Sequence, residues 1–220
     1  MYAPGLLYVE AVKGRFAELK WLSDESLEAR VKLEKPMQFA PGQFINLLYR
    51  GTERSYTVCN HRPGNLLEMF IRMKPGGEMS GKLKGARVGD PVEVKGPFVE
   101  ARFEEKKLLC LSGGSGMAAF VALVRAVEEG LDKEVVLFIS ARRLAEVGFR
   151  EELERLRRSR VVITLTREER EGYHSGRINR ELVEQHVDPA GYAIYICGPE
   201  PFTLALGEAL KEFKPQLLRW

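Results

Sequence analysis

A mostly apolar run of five residues that leads into a glycine-rich turn constrains this chain more than any other feature. Residues 108–112 have the sequence LLCLS, and just after them Gly114, Gly116 and Ala119 match the pattern G-x-G-x-x-A. Glycines between a strand and a helix let backbone N–H groups approach a pyrophosphate at the positive end of the helix dipole. A glycine turn that only packs a strand against a helix would carry the same pattern. The residues predicted to line a dinucleotide site here are Gly113, Gly114, Gly116 and Met117.

The second half of the chain alternates between apolar strands and amphipathic helices. Strands are predicted at residues 108–112, 135–140, 161–166 and 192–197. Helices are predicted at residues 117–129, 151–158, 178–187 and 201–213. Apolar strands that alternate with helices are typical of a parallel sheet covered on both faces. This half is therefore predicted to be a doubly wound α/β domain, in which the charged run at 151–158 is the solvated face of a helix.

The first hundred residues have a different pattern. Short β-type runs alternate with turns that contain glycine and proline, such as Pro41-Gly42 and Lys74-Pro75-Gly76-Gly77. Short strands at this spacing predict an antiparallel barrel or sandwich. We place the domain boundary where charges cluster, so that residues 1–104 form the first domain and residues 105–220 the second.

Composition excludes several classes of protein. The 220 residues carry a net charge of +3 from 34 basic and 31 acidic side chains, which gives no reason to expect nucleic-acid binding. No apolar run approaches the about 18 residues of a membrane helix, and the N-terminus lacks a signal-peptide pattern, so we expect a cytoplasmic protein without membrane contact. Cys59, Cys110 and Cys197 are far apart in the sequence, which predicts neither disulfides nor a metal site.

Arginines after the predicted strands bear on which dinucleotide binds. An NAD site usually has an acidic residue after its second strand, where it binds the ribose 2′-hydroxyl, whereas this chain has Ser140-Ala141-Arg142-Arg143 there. Guanidinium groups pair with phosphate through forked hydrogen bonds, and Arg167 and Arg177 could join the same cluster. The sequence therefore favours NADPH over NADH, although any one of these arginines alone could be a solvated surface charge.

Three further motifs, in order along the chain, point to a family. Arg54-Ser55-Tyr56-Thr57 precedes Gly77-Glu78-Met79-Ser80, and Cys197-Gly198-Pro199 follows the glycine turn near the C-terminus. With Pro41-Gly42-Gln43-Phe44 ahead of them, these motifs resemble those of the ferredoxin-NADP reductase family over nearly the whole chain. The resemblance implies a six-stranded antiparallel flavin-binding barrel followed by an NAD(P)H-binding domain.

The resemblance also implies roles in flavin binding. Arg54-Ser55-Tyr56-Thr57 matches the family's R-x-Y-[ST] motif, in which Arg54 would neutralise a flavin phosphate and Tyr56 would stack on the isoalloxazine ring. Thr57 would hydrogen-bond flavin N5, the hydride acceptor. The turn that matches the family's G-x-x-S pattern for the FAD pyrophosphate contains Gly76, Gly77, Met79 and Ser80. This turn favours FAD, but residues 55–60 also resemble FMN-binding oxygenase reductases, so FMN stays an alternative.

The C-terminal motif implies the position of the nicotinamide. By resemblance, the Cys197 side chain would lie near nicotinamide C4, where the hydride leaves, with Gly198 and Pro199 beside it. The methionine that usually follows this proline two residues later is absent. Trp220 could cover the flavin or the adenine, as a terminal aromatic residue does in some bacterial members.

Together these features predict a flavoprotein oxidoreductase whose catalytic residues are Thr57 and Cys197. Hydride would pass from NADPH or NADH to FAD, and electrons would then pass to a separate acceptor. Cysteines at the spacing of an iron–sulfur cluster, which needs four ligands, are missing, so a ferredoxin, a flavodoxin or an oxygenase component is the expected acceptor. Two alternatives stay open: a free-flavin reductase, and an electron-relay subunit of a larger redox complex.

Overall fold

The computed structural model describes residues 11–218, and it contains two six-stranded sheets. The first sheet is antiparallel, with the strand order β4-β3-β6-β1-β2-β5. Its strands are β1 (Val12–Ser23), β2 (Ser26–Met37), β3 (Gln43–Tyr49), β4 (Thr52–Thr57), β5 (Gly64–Arg72) and β6 (Pro91–Val99). The antiparallel architecture predicted for the first hundred residues is confirmed.

Alternate residues of β2 point to the inner face of this sheet and contribute to its core. Leu27, Ala29 and Val31 are buried, while the residues between them are less so, which is the two-residue period of a strand with one face in a core. The two edges of the sheet meet just after β4, where the Cys59 N–H donates to the Glu68 carbonyl on β5 at 2.9 Å. This contact closes the sheet into a barrel. A short helix that the sequence did not predict, α1 (Glu78–Lys84), places Met79 and Leu83 in the same core.

The second sheet is parallel throughout, with the order β10-β9-β8-β7-β11-β12. Its strands are β7 (Lys107–Gly113), β8 (Glu134–Ala141), β9 (Arg160–Leu165), β10 (His174–Ser175), β11 (Ala193–Cys197) and β12 (Gln216–Leu218). Its helices are α2 (Ala118–Glu128), α3 (Arg150–Leu153), α4 (Arg180–His186) and α5 (Glu200–Ala209). The doubly wound α/β prediction is confirmed. Within residues 11–218, no helix is long and apolar enough to cross a membrane.

The strand order reverses between β7 and β11. From β7 the chain adds β8, β9 and β10 on one side, and then crosses to β11 and β12 on the other. Open α/β sheets bind ligands outside the carboxyl ends of their strands at such a reversal. The glycine turn after β7 and the Cys-Gly-Pro turn after β11 therefore both lie at the position where a ligand is expected.

The helix predicted over residues 151–158 is wrong in length, because α3 ends at Leu153. The carboxylate of Glu128, at the end of α2, accepts hydrogen bonds from the backbone N–H groups of residues 157–159 at 2.6–3.0 Å. These contacts hold the chain in a turn toward β9, so the helix does not continue. Most of the charged run is thus a turn held by Glu128 rather than one face of a helix.

The C-terminal helix is also shorter than predicted. Helix α5 ends at Ala209 and is followed by a 3₁₀ turn at Lys211–Phe213. Lys214 then adopts a left-handed backbone conformation with φ of 53°, after which β12 pairs with β11. β10 and β12 have only two and three residues, too few for a recognisable hydrophobic period in the sequence.

Helix α2 lies between the second sheet and the barrel, and Arg125 on this helix joins the two domains. Its Nη1 atom donates to the Cys59 carbonyl and to Glu68 of the barrel, both at 2.7 Å. Its Nε and Nη2 atoms donate to the two carboxylate oxygens of Glu152, also at 2.7 Å. The guanidinium lies over the Phe149 ring, 4.7 Å from its centroid. We call Arg125 with these four residues the Arg125 cluster.

The chain passes from the first sheet to the second between β6 and β7. The domain boundary at residues 104/105 lies within this connection and stays a proposal.

Candidate functional site

The two glycine-containing turns of the second domain are in direct contact. β7 and β11 are neighbours, with Ser112 opposite Cys197. A Cβ atom added to Gly116 would lie 2.2 Å from the Cys197 carbonyl oxygen. A Cβ added to Gly198 would lie 3.1 Å from the Cα atom of Gly113. The absence of side chains at these positions therefore lets two segments that are distant in the sequence form one surface at the strand reversal.

The backbone of the glycine turn suits an anionic ligand. Gly114 has a φ of +55°, and residues Gly114–Met117 form a 3₁₀ turn that leads directly into α2. No side chain caps the start of this turn or of α2. Backbone N–H groups at the start of a helix that lack such a cap attract phosphate. The Met117 side chain is buried, so the contact predicted for this residue could come only from its backbone.

The arginines predicted to bind a 2′-phosphate follow the carboxyl ends of three neighbouring strands. These are Arg142 and Arg143 after β8, Arg167 after β9, and Arg177 after β10. The backbone N–H of Arg167 donates to the Arg142 carbonyl at 2.9 Å, which places the ends of β8 and β9 side by side. Within residues 11–218, Arg142 is the only one of the four in an ion pair, with its Nη1 atom 2.9 Å from Glu25 Oε2.

The R-x-Y-[ST] motif lies on β4, with its first two residues exposed. Arg54 Nη1 donates to the neighbouring Glu53 carbonyl at 2.6 Å, and Ser55 Oγ donates to Asn46 Oδ1 at 2.8 Å. Tyr56 is half-buried and packs against the barrel core, and burial raises its pKa to about 12, so its phenol stays neutral at physiological pH. Thr57 is buried at the end of the strand.

The predicted pyrophosphate turn precedes α1. Gly76 has a φ of +69°, and a Cβ atom added to it would have nothing within 4 Å. Gly77 precedes the helix without a side-chain cap, so no side chain satisfies the first N–H groups of α1 from that position. Ser80 Oγ accepts a hydrogen bond from the Lys74 N–H at 2.8 Å, which leaves its hydroxyl hydrogen to donate to a ligand. Met79 is buried in the barrel core, so only its backbone could contact a cofactor.

Strand β5 brings the flavin motif and the glycine turn together. The contact between Cys59 and Glu68 places the end of β4 alongside β5, whose last residue is Arg72. Arg72 Nη1 lies 3.8 Å from the position of a Cβ atom on Gly114. The Phe70 ring packs so closely on Gly148 that a Cβ atom there would lie 2.5 Å from it. The glycine turn of the second domain thus lies against the same barrel strand that adjoins the end of the predicted flavin motif.

The side chain of Cys197, the predicted nicotinamide contact, is not accessible from the surface. Its side chain is fully buried at the end of β11, in the same core cluster as Cys110 and Tyr195. Burial and the nearby Cys197 raise the pKa of Cys110, so that thiol stays protonated. Contact between the Cys197 thiol and a nicotinamide would require the covering atoms to move. Trp220 lies outside the described residues.

Sequence reasoning missed several charged residues at the interface between the domains. They are Glu25, Arg72, Arg125 and Glu146. Arg72 had one usable signal, its position four residues before Gly76. Glu25 lies in the ordinary turn between β1 and β2, and its partners are distant in the sequence, so no pattern indicated its role.

The residues on the barrel fit a flavin dinucleotide. An exposed guanidinium at Arg54, the half-buried ring of Tyr56 and the uncapped start of α1 offer the charge, aromatic face and N–H donors that such a group needs. Within residues 11–218, no group of three or more His, Cys, Asp or Glu side chains could hold a metal ion.

Two family models match the chain in succession. Residues 14–103 match the oxidoreductase FAD-binding domain, and residues 110–206 match the oxidoreductase NAD-binding domain. The first match falls on the barrel, and the second falls on the parallel sheet. The order of the two matches is the order that the motifs of the sequence predicted.

Known proteins of similar sequence are reductase components of oxygenase systems. The chain is 26% identical over 206 residues to the ferredoxin–NAD(P)⁺ reductase component of the naphthalene 1,2-dioxygenase system of Pseudomonas putida, which covers 89% of this chain and 63% of the relative. It is 27% identical over 209 residues to the reductase component of phenol 2-monooxygenase of Pseudomonas sp. strain CF600, which covers 88% and 59%. The chain therefore spans less than two thirds of the length of these relatives.

Solved structures agree on the fold. The ferredoxin NADP⁺ reductase of Neisseria gonorrhoeae with bound FAD and NADP superposes with a TM-score of 0.78, covering 92% of this chain and 91% of that one. The two sequences are 23% identical, so this likeness concerns the fold alone.

Proposed function

The chain belongs to the ferredoxin-NADP reductase family, and from this premise we propose that it is an NAD(P)H-dependent flavoprotein reductase that supplies electrons to a separate acceptor. One observation carries the proposal. The glycine turn contacts the Cys-Gly-Pro turn at the strand reversal, and Arg72 of the barrel strand β5 lies against that same glycine turn. A nicotinamide bound by the second domain would therefore lie beside a flavin bound by the first.

The barrel residues would hold FAD at its phosphates and at its ring. Bound FAD supplies the hydride acceptor and can release electrons one at a time. Arg54 and the N–H groups at the start of α1 would bind the phosphates, and Tyr56 would stack on the ring. Thr57 would direct its hydroxyl hydrogen at flavin N5.

The second domain would bind and orient the coenzyme. N–H groups of residues 113–117 would bind its pyrophosphate at the start of α2, and the neighbouring turn at Gly198 and Pro199 would flank the nicotinamide. Four arginines follow the carboxyl ends of β8, β9 and β10, which supports a preference for NADPH over NADH. Cys197 would contact the nicotinamide only after its covering atoms move.

The acceptor follows from the relatives rather than from a surface of this chain. Both relatives are reductase components of oxygenase systems. We therefore infer that the acceptor is a ferredoxin, a flavodoxin or an oxygenase component. A cytoplasmic location stays a proposal from the sequence.

The first experiment is an absorbance spectrum of the purified full chain before and after anaerobic addition of NADPH, with the released flavin identified by chromatography. Flavin bands that bleach with NADPH, together with released FAD, are expected. A colourless protein that oxidises NADPH only when flavin is added would indicate the free-flavin reductase instead. A protein that binds neither FAD nor FMN would overturn the proposal.

A substitution at Thr57 tests its catalytic role. Thr57→Val removes the hydroxyl and keeps the shape of the side chain, so flavin content should stay normal while flavin reduction by NADPH slows by about three- to tenfold, the effect of one hydrogen bond. Thr57→Ser keeps the hydroxyl and is the matched control. Equal reduction rates in Thr57→Val and wild type would remove Thr57 from the mechanism.

A further inference from the structure

One carboxylate of the barrel reaches into the coenzyme edge of the second domain. Glu25 lies in the turn between β1 and β2, and its backbone carbonyl accepts from the Met73 N–H just after β5 at 2.8 Å, so the turn is fixed to the barrel. Its Oε2 atom accepts hydrogen bonds from Arg72 and from Arg142 Nη1, the latter at 2.9 Å. Two guanidinium groups from different domains thus share one oxygen atom of Glu25.

Both arginines lie where phosphate groups of a coenzyme are expected. Arg72 lies against Gly114 of the glycine turn and also contacts Glu146 at 3.4 Å. Arg142 is the first residue after β8, the position from which a dinucleotide-binding domain contacts the ribose 2′ substituent. We call Glu25, Arg72, Arg142 and Glu146 the Glu25 cluster.

Within this cluster, the ion pair between Glu25 and Arg142 is exposed enough to be replaced. The side chains of Glu25 and Arg142 are both 41% exposed, and an ion pair this open to water contributes little to stability. A phosphate that binds a guanidinium through two hydrogen bonds makes a stronger contact than that pair. A phosphate that arrives at Arg142 can therefore displace Glu25, although it must overcome the carboxylate's attraction for the arginine and its repulsion of the phosphate.

We propose that Glu25 is a specificity-determining residue of the barrel that competes with the coenzyme 2′-phosphate for Arg142. The inference rests on the proposed function and deepens it. Without coenzyme, Glu25 holds Arg142 and Arg72 and joins the two domains. With coenzyme, Arg142 binds the phosphate, and Glu25 sets how strongly a coenzyme with a 2′-phosphate is preferred.

The test measures the binding of two probes to the flavin-loaded full chain by calorimetry. Adenosine 2′,5′-bisphosphate carries the 2′-phosphate, and 5′-AMP lacks it. Glu25→Gln should lower the Kd of adenosine 2′,5′-bisphosphate about two- to fivefold, the range expected for loss of one exposed ion pair. The Kd of 5′-AMP should change less. Arg142→Gln should raise the Kd of the bisphosphate, and in that background Glu25→Gln should lower it less than in wild type, because only the repulsion between the carboxylate and the phosphate is then left to remove.

Asp24→Asn is the matched control, because it removes the same charge one residue earlier in the same turn. It should leave both Kd values at their wild-type levels. An unchanged or higher Kd in Glu25→Gln, or an equal decrease in Asp24→Asn, would overturn the competition. Wild-type protein that binds both probes equally would overturn it as well, while the flavin bleaching by NADPH would still support the reductase. A chain that binds neither probe and is not bleached by NADPH would overturn both.

Discussion

Two charged clusters join the barrel to the nucleotide-binding domain, and they differ in how far water reaches the arginine that each contains from the second domain. In the Arg125 cluster, the arginine side chain is 10% exposed and donates to two carboxylates and a carbonyl. In the Glu25 cluster, Glu25 and Arg142 are each 41% exposed. A buried charge that loses its partner is strongly destabilising, whereas a half-exposed one exchanges its partner for water or ligand at little cost. The interface therefore has a fixed end at the Arg125 cluster. At the coenzyme end, a ligand can replace the contact between Glu25 and Arg142.

The pKa of Arg125 fits a permanently charged contact at the fixed end. Burial alone would lower the pKa of Arg125, but its hydrogen bonds to Glu152 and the charge of Glu68 more than compensate and raise it. The guanidinium therefore stays charged at all physiological pH values, and the fixed end does not act as a proton switch.

Breaking the fixed end should have the largest effect. Arg125→Gln leaves the Cys59 carbonyl without its guanidinium donor and leaves the mostly buried Glu68 with Arg30 as its one remaining guanidinium partner. We therefore expect the free energy of unfolding to fall by about 3 kcal/mol in urea denaturation.

Arg150→Gln is the control, because Arg150 pairs with Glu154 one helical turn away in a more exposed setting, and we expect a loss of less than about 0.5 kcal/mol there. Similar losses in both variants would show that burial does not distinguish the Arg125 cluster.

The next largest effect is expected where the glycine turn touches the Cys-Gly-Pro turn. In Gly116→Ala the new methyl group would lie 2.2 Å from the Cys197 carbonyl, so the two turns must separate. We expect a loss of stability of about 1–3 kcal/mol from overpacking. We also expect flavin reduction by NADPH to slow by about a hundredfold, because the coenzyme would be misplaced.

Gly191→Ala is the control for that substitution, since a Cβ atom at Gly191 would have nothing within 4 Å. Both stability and reduction rate should stay near wild type in this variant. A Gly116→Ala protein that reduces its flavin at the wild-type rate would show that the contact between the two turns does not position the coenzyme.

Alkaline pH should weaken the fixed end through Cys59. Burial raises the pKa of this thiol from 9.0 to about 12, so the unfolded chain loses the proton at lower pH than the folded one. The stabilisation is complete below pH 9 and is lost as pH rises toward 12, at up to about 1.4 kcal/mol per pH unit. In urea denaturation at several pH values, Cys59→Ala should lose stability less steeply than wild type above pH 9. Equal slopes would mean that Cys59 is not the titrating group.

The sequence predicted the parts of the molecule that repeat a pattern. Alternating burial in β2, apolar strands such as residues 135–140 and the glycine turn all follow from local periodicity or local turn chemistry. The length of α3 could not be predicted in this way. Glu128, which belongs to α2, binds the backbone of residues 157–159 and keeps them out of the helix. The two interface clusters could not be predicted from local patterns either. Glu25 and Arg142, for example, are 117 positions apart, and nothing near either residue indicates its partner.

The residues of the candidate site also fall into those that the sequence could identify and those that it could not. Positions fixed by backbone shape, such as Gly116 and Gly198, could be found from motifs, because only glycine permits the close approach. The arginines after β8, β9 and β10 could be located but not ranked, because the sequence does not show that Glu25 holds Arg142. Assignment of ligand contacts to Arg143, Arg167 and Arg177 stays a prediction.

The exposed ion pair between Glu25 and Arg142 should show the smallest effect. A double-mutant cycle on Glu25 and Arg142 should give a coupling free energy of about 0.2–1 kcal/mol in urea denaturation, because water screens the pair. It should nearly vanish in 1 M salt, where the Debye length is about 3 Å, whereas the coupling between Arg125 and Glu68 should persist because that pair is buried. Saturating adenosine 2′,5′-bisphosphate should also abolish the coupling between Glu25 and Arg142, since the phosphate would then occupy the guanidinium. A coupling that survives both salt and nucleotide would make the Glu25 cluster a second fixed contact, and coenzyme binding would then have to leave Arg142 on Glu25.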